Sequence, residues 1–173
     1  MPVEELTRWT IRLALCGYLG RIFLGLLAGN RPAMMHLARW CWIAGCVMLW
    51  THVVCAFQFY HHWSHATAYD QTARETLDQV GVNFGGGIWF NYLFIALWTA
   101  DAAWWWGSES SYLRRPRWVS ITLHAYLVFI VFNATVVFET GPVRWIAILA
   151  TGVVMVLGAK QYRQKCRLPV REL

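Results

Sequence analysis

Apolar residues fall in long blocks along this chain, separated by short stretches that carry most of the charge. A helix that crosses a bilayer needs roughly 20 mostly apolar residues. Four blocks meet that length, at about 37–60, 85–106, 118–138 and 142–159. A fifth, about 10–29, contains Arg12 and Arg21, but Ile22 to Gly29 continues apolar without a polar stripe. That continuity favours crossing over lying along the interface. The pattern predicts an all-α integral membrane protein. Residues 1–173 form a single domain, a bundle of four to five transmembrane helices with a short outer-loop helix.

The loop helix is read from Gln71 to Val80, with Asp70 as its N-cap and Gly81 as its stop. Gly85-Gly86-Gly87 then leads into the next span. Three glycines in a row serve as a flexible turn or permit close backbone approach to a neighbour or ligand.

Charge orients the bundle. Arg31 and Arg39 flank the first loop, Arg114, Arg115 and Arg117 crowd the third, and the tail at 160–173 holds Lys160, Arg163, Lys165, Arg167 and Arg171. Ten of the 15 basic residues therefore fall on one side, which the positive-inside rule makes cytoplasmic. The 61–84 loop sets Arg74 against Asp70, Glu75 and Asp78 and belongs outside, as does the short loop with Glu139 and Arg144. The expected location is a bacterial inner membrane with the C-terminus inside.

Composition agrees with this frame. Residues are 58% hydrophobic and 14% charged, against about 25% charged in ordinary soluble domains. The 12 tryptophans suit the membrane–water interface, and Trp104-Trp105-Trp106 with Trp118 reads as an aromatic belt on the inner side. A net charge of +6 would otherwise suggest nucleic acid. Here the basic residues flank apolar spans instead of forming a separate basic face, so nucleic acid is excluded as a partner. The five cysteines form no CxxC pair, and four lie inside spans, so no disulfide framework is expected. The acidic Met-Pro-Val-Glu-Glu start is unlike a cleaved signal. Asn133-Ala134-Thr135 matches a glycosylation sequon but lies at membrane depth.

Candidate chemistry centres on histidine. His52, His61, His62 and His65 gather at the outer end of the second span. In an unbroken helix His61 and His65 would stack on one face, a common way to present two metal ligands. Cys41, Met48, His52, Cys55 and His62 fall on another face, a donor set suited to a soft or borderline ion. The expected site is a transition metal ion (Cu, Zn or Fe) at the outer rim, held by His61 and His65, with Glu139 as third ligand and His62 and His52 nearby. The bland alternative is a set of interfacial histidines and packing sulfurs. Haem is disfavoured, because His124 lies about 13 Å in depth from His52 by helix rise. A di-iron centre of the desaturase type would need several histidine boxes, and only His36 and His124 remain elsewhere.

Two further polar sets lie at membrane depth. His52, Asn91 and Asn133 are near one level in the outer half. Arg21, Asp101 and His124 are near one level in the inner half and are expected to share a buried polar group, with Asp101 within hydrogen-bonding or water-bridged distance of His124 and Arg21 nearby. Three functions remain open: a metal or redox protein, a non-enzymatic accessory subunit packing against other membrane subunits or itself, and a small transporter or proton path. The lipid bilayer is a partner in all three.

Overall fold

The computed structural model describes residues 3–28 and 31–137 together with Trp145 and Gly152. The expected fifth span at 142–159, the 160–173 tail, and Glu139 fall outside the described residues, apart from those two isolated positions. Every regular element among the described residues is helical: α1 (Val3–Ala28), α2 (Pro32–Ala56), α3 (His65–Val80), α4 (Gly87–Gly107), α5 (Glu109–Leu113) and α6 (Arg117–Phe132). Three stretches are long and apolar enough to cross a membrane: Val3–Leu27, Pro32–His61 and Arg117–Thr135. The four to five spans expected from the blocks are thus met in three of the described helices by length and composition. α4 is 21 residues long but carries Asn91, Asp101 and five tryptophans, which lower its mean hydropathy.

Local sequence explains where each helix begins and ends. Glu4 and Glu5 in the first turn of α1 favour its positive N-terminal dipole end. The helix therefore starts about two turns before the apolar block at residue 10. Pro32 opens α2, where its missing N–H is no loss and its fixed φ is already helical. α2 runs into a π-helical turn at Phe57–His61 and stops there, because His62 and Trp63 take left-handed conformations with φ of 48° and 58°. Ser64 then caps a new helix by accepting the Thr67 N–H at 3.3 Å.

The outer-loop helix exists, but it begins at His65, about six residues before the expected start. The cap is Ser64, and Asp70 lies inside the helix. Gly81, at φ 76°, ends it as expected. The five-residue α5 lies in what the sequence pattern gave as plain loop.

Polar residues in the turn that follows α6 answer their own backbone. Asn133 Nδ2 donates to the Phe129 carbonyl at 2.7 Å, and Thr135 Oγ1 donates to that of Val131 at 2.6 Å. Such back-bonding satisfies a polar group without a second helix. It coincides with a π-helical turn at Asn133–Val137.

The core is aromatic. Trp42, Trp98, Trp105, Tyr18 and Leu127 are its largest fully buried side chains. Trp98 stacks against Trp42 with ring centroids 4.8 Å apart and meets Tyr18 edge-on at 5.5 Å. Trp105 lies flat on Tyr112 at 4.6 Å. Of the expected inner belt, Trp104, Trp106 and Trp118 are exposed, whereas Trp105 belongs to the core. Large apolar side chains such as Trp9, Leu13, Val47 and Leu93 are also exposed along the helix flanks. In water such a surface would drive association, and in a bilayer it is the surface that lipid covers.

Candidate functional site in the outer half of the bundle

Two adjoining cavities open between α1, α2, α3, α4 and α6, with volumes of about 320 Å³ and about 590 Å³. Ile11, His52, Thr72, Glu75, Asn91, Ile130 and Ala134 line both. α1, α2, α4 and α6 supply most of the lining, and α3 contributes Gln71, Thr72, Glu75 and Thr76. Sequence reasoning put His52, Asn91 and Asn133 at one level. The structure brings all three to the larger cavity, although they share no hydrogen bond with one another. Glu75, which the sequence reading used only as a loop charge, reaches the same space from α3 and accepts a 3.0 Å hydrogen bond from Gln71.

His52 has a defined orientation. Its Nδ1 lies 3.0 Å from the Thr7 carbonyl oxygen, which can only accept. Nδ1 therefore carries the proton in the neutral ring, and Nε2 presents a lone pair. Thr10 Oγ1, itself donating to Thr7 at 2.8 Å, completes the contact at 3.5 Å. An α1 backbone carbonyl thus fixes the ring of an α2 histidine, an arrangement that pre-orients an acceptor or ligand atom.

The other outer histidines separate. The helix break at His62 and Trp63 removes the continuous face on which His61 and His65 would have stacked. His61 lines the smaller cavity, packs edge-on against Phe57 at 5.3 Å, and leaves a buried Nδ1 with no partner in the protein. His65 turns to α4, where Nδ1 lies 3.0 Å from Tyr92 Oη and its ring packs on Trp89 at 5.1 Å. His62 is exposed at the break. Among the described residues no three His, Cys, Asp or Glu side chains converge as a metal site requires. The Cys41, Met48, His52, Cys55 and His62 stripe does not form such a group either, because His62 lies beyond the end of the helix.

The inner polar group forms around different partners from those expected. Asp101 is buried, and its Oδ2 accepts from Trp42 Nε1 and from Tyr112 Oη, each at 2.9 Å. Its Oδ1 pairs with Arg115, an ion pair almost entirely shielded from solvent. A direct Asp101–His124 hydrogen bond is not made. The Trp42 indole bonds Asp101 and meets the His124 ring edge-on at 5.7 Å, so it stands where that bond would have formed. Arg21 lies over the Trp105 ring at 4.8 Å. Tyr112 sits beyond the spans on α5; burial, with the Asp101 charge beside it, pushes its phenol up to about 12.

No known protein family matches this sequence, and comparison with curated proteins and with solved structures gives no match.

Proposed function

We propose that the chain is a bacterial inner-membrane protein whose outer-half cavity binds a small amphiphilic molecule. The observation that carries this reading is the shared lining, where His52, Glu75 and Asn91 stand among Ile11, Ile130 and Ala134, with Arg8 and Asn133 also facing the larger cavity. Volumes of about 320 and 590 Å³ fall in the range of small-molecule sites, which are mostly apolar with a few convergent polar groups. His52 Nε2 accepts a hydrogen bond from the ligand's polar head, and the Asn91 amide both donates and accepts. Ile11, Phe57 and Ile130 cover the apolar body.

α4 adds a fourth span to the three long apolar helices. It packs against both α2 and α6, and its Asp101 is buried against Trp42 and Tyr112. The 142–159 block supplies a fifth. The charge distribution puts α3 outside and the 160–173 tail inside. Cysteines introduced at Arg74 and Lys165 test this: an impermeant thiol reagent added from outside should label the first only.

A transition metal ion is the second reading, and one observation favours it. His52 Nε2 and the unpartnered His61 Nδ1 belong to rings lining the same cavity. One purification separates the readings. Wild type and His52→Leu protein are assayed for metals by elemental analysis and for extracted small molecules by mass spectrometry. Thermal shift is then measured with a decyl quinone, a monoacyl lipid and an alkylamine. The amphiphile reading expects an extracted molecule or a shift in wild type, lost in His52→Leu, without stoichiometric metal. If no probe shifts the protein and nothing is extracted, the accessory-subunit reading replaces it.

A further inference from the structure

Arg21 and Arg115 both lie in the inner half of the bundle near the buried carboxylate of Asp101, which is already fully engaged. Asp101 accepts from Trp42, Tyr112 and Arg115, which occupies both of its oxygens. Arg21 makes no hydrogen bond or ion pair among the described residues, and its Nε is buried without a partner. Its guanidinium rests on the face of Trp105, which offsets part of a cation's desolvation but leaves the N–H groups unanswered.

Three more orphaned polar atoms lie nearby: Tyr18 Oη, Trp105 Nε1 and His124 Nδ1. Tyr18 is 2% and Trp105 0% exposed. Tyr18 precedes Arg21 by three residues on one face of α1, and Trp42 touches both Tyr18, at 5.6 Å, and His124, at 5.7 Å. Arg Nε and Trp Nε1 can only donate, and the tyrosine hydroxyl donates readily. A group that answers them must be an acceptor, and the uncompensated guanidinium requires it to be an anion.

The direction of the arginine indicates where that anion lies. Side chains on a helix normally lean toward its N-terminus. Arg21 instead reaches toward Gly25, one turn nearer the C-terminal end: a Cβ built on Gly25 would stand 2.5 Å from Arg21 Nη1. By helix rise, Arg21 is roughly 9 Å from the end of the apolar span at Leu27, within reach of the headgroup layer for so long a side chain.

We propose that the Arg21 guanidinium binds a phosphate oxyanion, the headgroup of an anionic phospholipid in the leaflet at the C-terminal end of α1. The planar guanidinium fork matches two phosphate oxygens at once, and Gly25 leaves the fork room. The charge orientation makes that leaflet the inner one; the binding itself does not depend on that orientation or on the outer cavity.

The test counts lipids retained by the full chain in native mass spectrometry after exchange from bilayers containing phosphatidylglycerol or phosphatidylcholine. Wild type should retain one phosphatidylglycerol in preference to phosphatidylcholine. Arg21→Gln should weaken that retention by about tenfold or more, as expected for losing a hydrogen-bonded charge. Arg21→Lys keeps the charge but removes the planar fork, and should weaken retention while circular dichroism stays unchanged; it serves if Arg21→Gln does not fold. Equal retention of the two lipids by wild type, or undiminished phosphatidylglycerol retention in Arg21→Lys, overturns the proposal. Stabilisation of lipid-free protein by inorganic phosphate with no lipid retained also overturns it, in favour of a free-anion site.

Discussion

Gly17 and Gly45 meet backbone to backbone where α1 crosses α2: a Cβ on Gly17 would stand 2.7 Å from the Cα of Gly45. The same Cβ would lie 2.7 Å from the Cys41 carbonyl oxygen. Lipid tails are as apolar as leucine, so helices in a bilayer associate through close packing, which small residues permit. Gly17→Ala should therefore destabilise the bundle by about 1–3 kcal/mol, the usual cost of overpacking. A Cβ on Gly107 meets nothing within 4 Å, so Gly107→Ala should stay within about 0.5 kcal/mol of wild type. Reversible unfolding in mixed detergent micelles measures both, and equal stability of the two variants would remove the crossing from the account.

Asp101 and Arg115 form the second test, because removing one member of a buried ion pair leaves the other uncompensated. Asp101→Leu should cost about 3–5 kcal/mol, and Asp101→Leu with Arg115→Leu should cost less than that single change. The same cluster predicts a pH dependence. The Tyr112 phenol is pushed up to about 12 from its ordinary value of 10.0 by burial and the Asp101 charge, so the native protein holds this proton more tightly than the unfolded chain. Its contribution is complete below pH about 10 and is lost as pH rises toward about 12. Unfolding midpoints across that window should fall more steeply for wild type than for Tyr112→Phe. Parallel curves would mean the phenol is not held by this cluster.

Several features of the fold could be read directly from the residues. Gly81 marked the end of α3 and the apolar blocks marked the helices that line the cavity, although α2 begins at Pro32, about five residues before the block that predicted it. The break at His62 and Trp63 was hard to read, because histidine is enriched in the left-handed region but a bulky tryptophan is not. Depth alone correctly grouped His52, Asn91 and Asn133. It could not foresee Glu75, which arrives from a helix outside the spans. The inner group shows the same limit. Asp101 and His124 do lie near each other, but residue level says nothing about which side chain fills the space between them. Trp42 does, and Arg115, only just past the third span in sequence, folds back from the loop to take the carboxylate. One sequence signal pointed that way: three arginines at 114, 115 and 117 stand close to a single acidic residue in the adjoining span.

The cover over the outer cavity gives the remaining prediction. α3 is held against the start of α4 at Gly85, where a Cβ would stand 2.6 Å from the Tyr69 carbonyl oxygen and 2.5 Å from its ring. Backbone cannot yield as a flexible side-chain end can, so Gly85→Ala should lift α3 away from α4 and stretch the His65–Tyr92 contact, now 3.0 Å. Few other apolar contacts hold α3, whose buried residues are only Ala68 and Ala73. Elements with so little buried surface open with low free energy. Hydrogen exchange in Gly85→Ala should accelerate across His65–Val80 by about tenfold, the effect of roughly 1.4 kcal/mol on a local opening. Amides around Trp42 and Trp98 should keep their protection. Because Thr72 and Glu75 line both cavities from α3, any amphiphile that shifts the wild type should bind this variant more weakly and exchange faster. Unchanged exchange across α3 would show that the Tyr69–Gly85 contact does not hold the cover. Faster exchange with undiminished binding would show that α3 forms no part of the site.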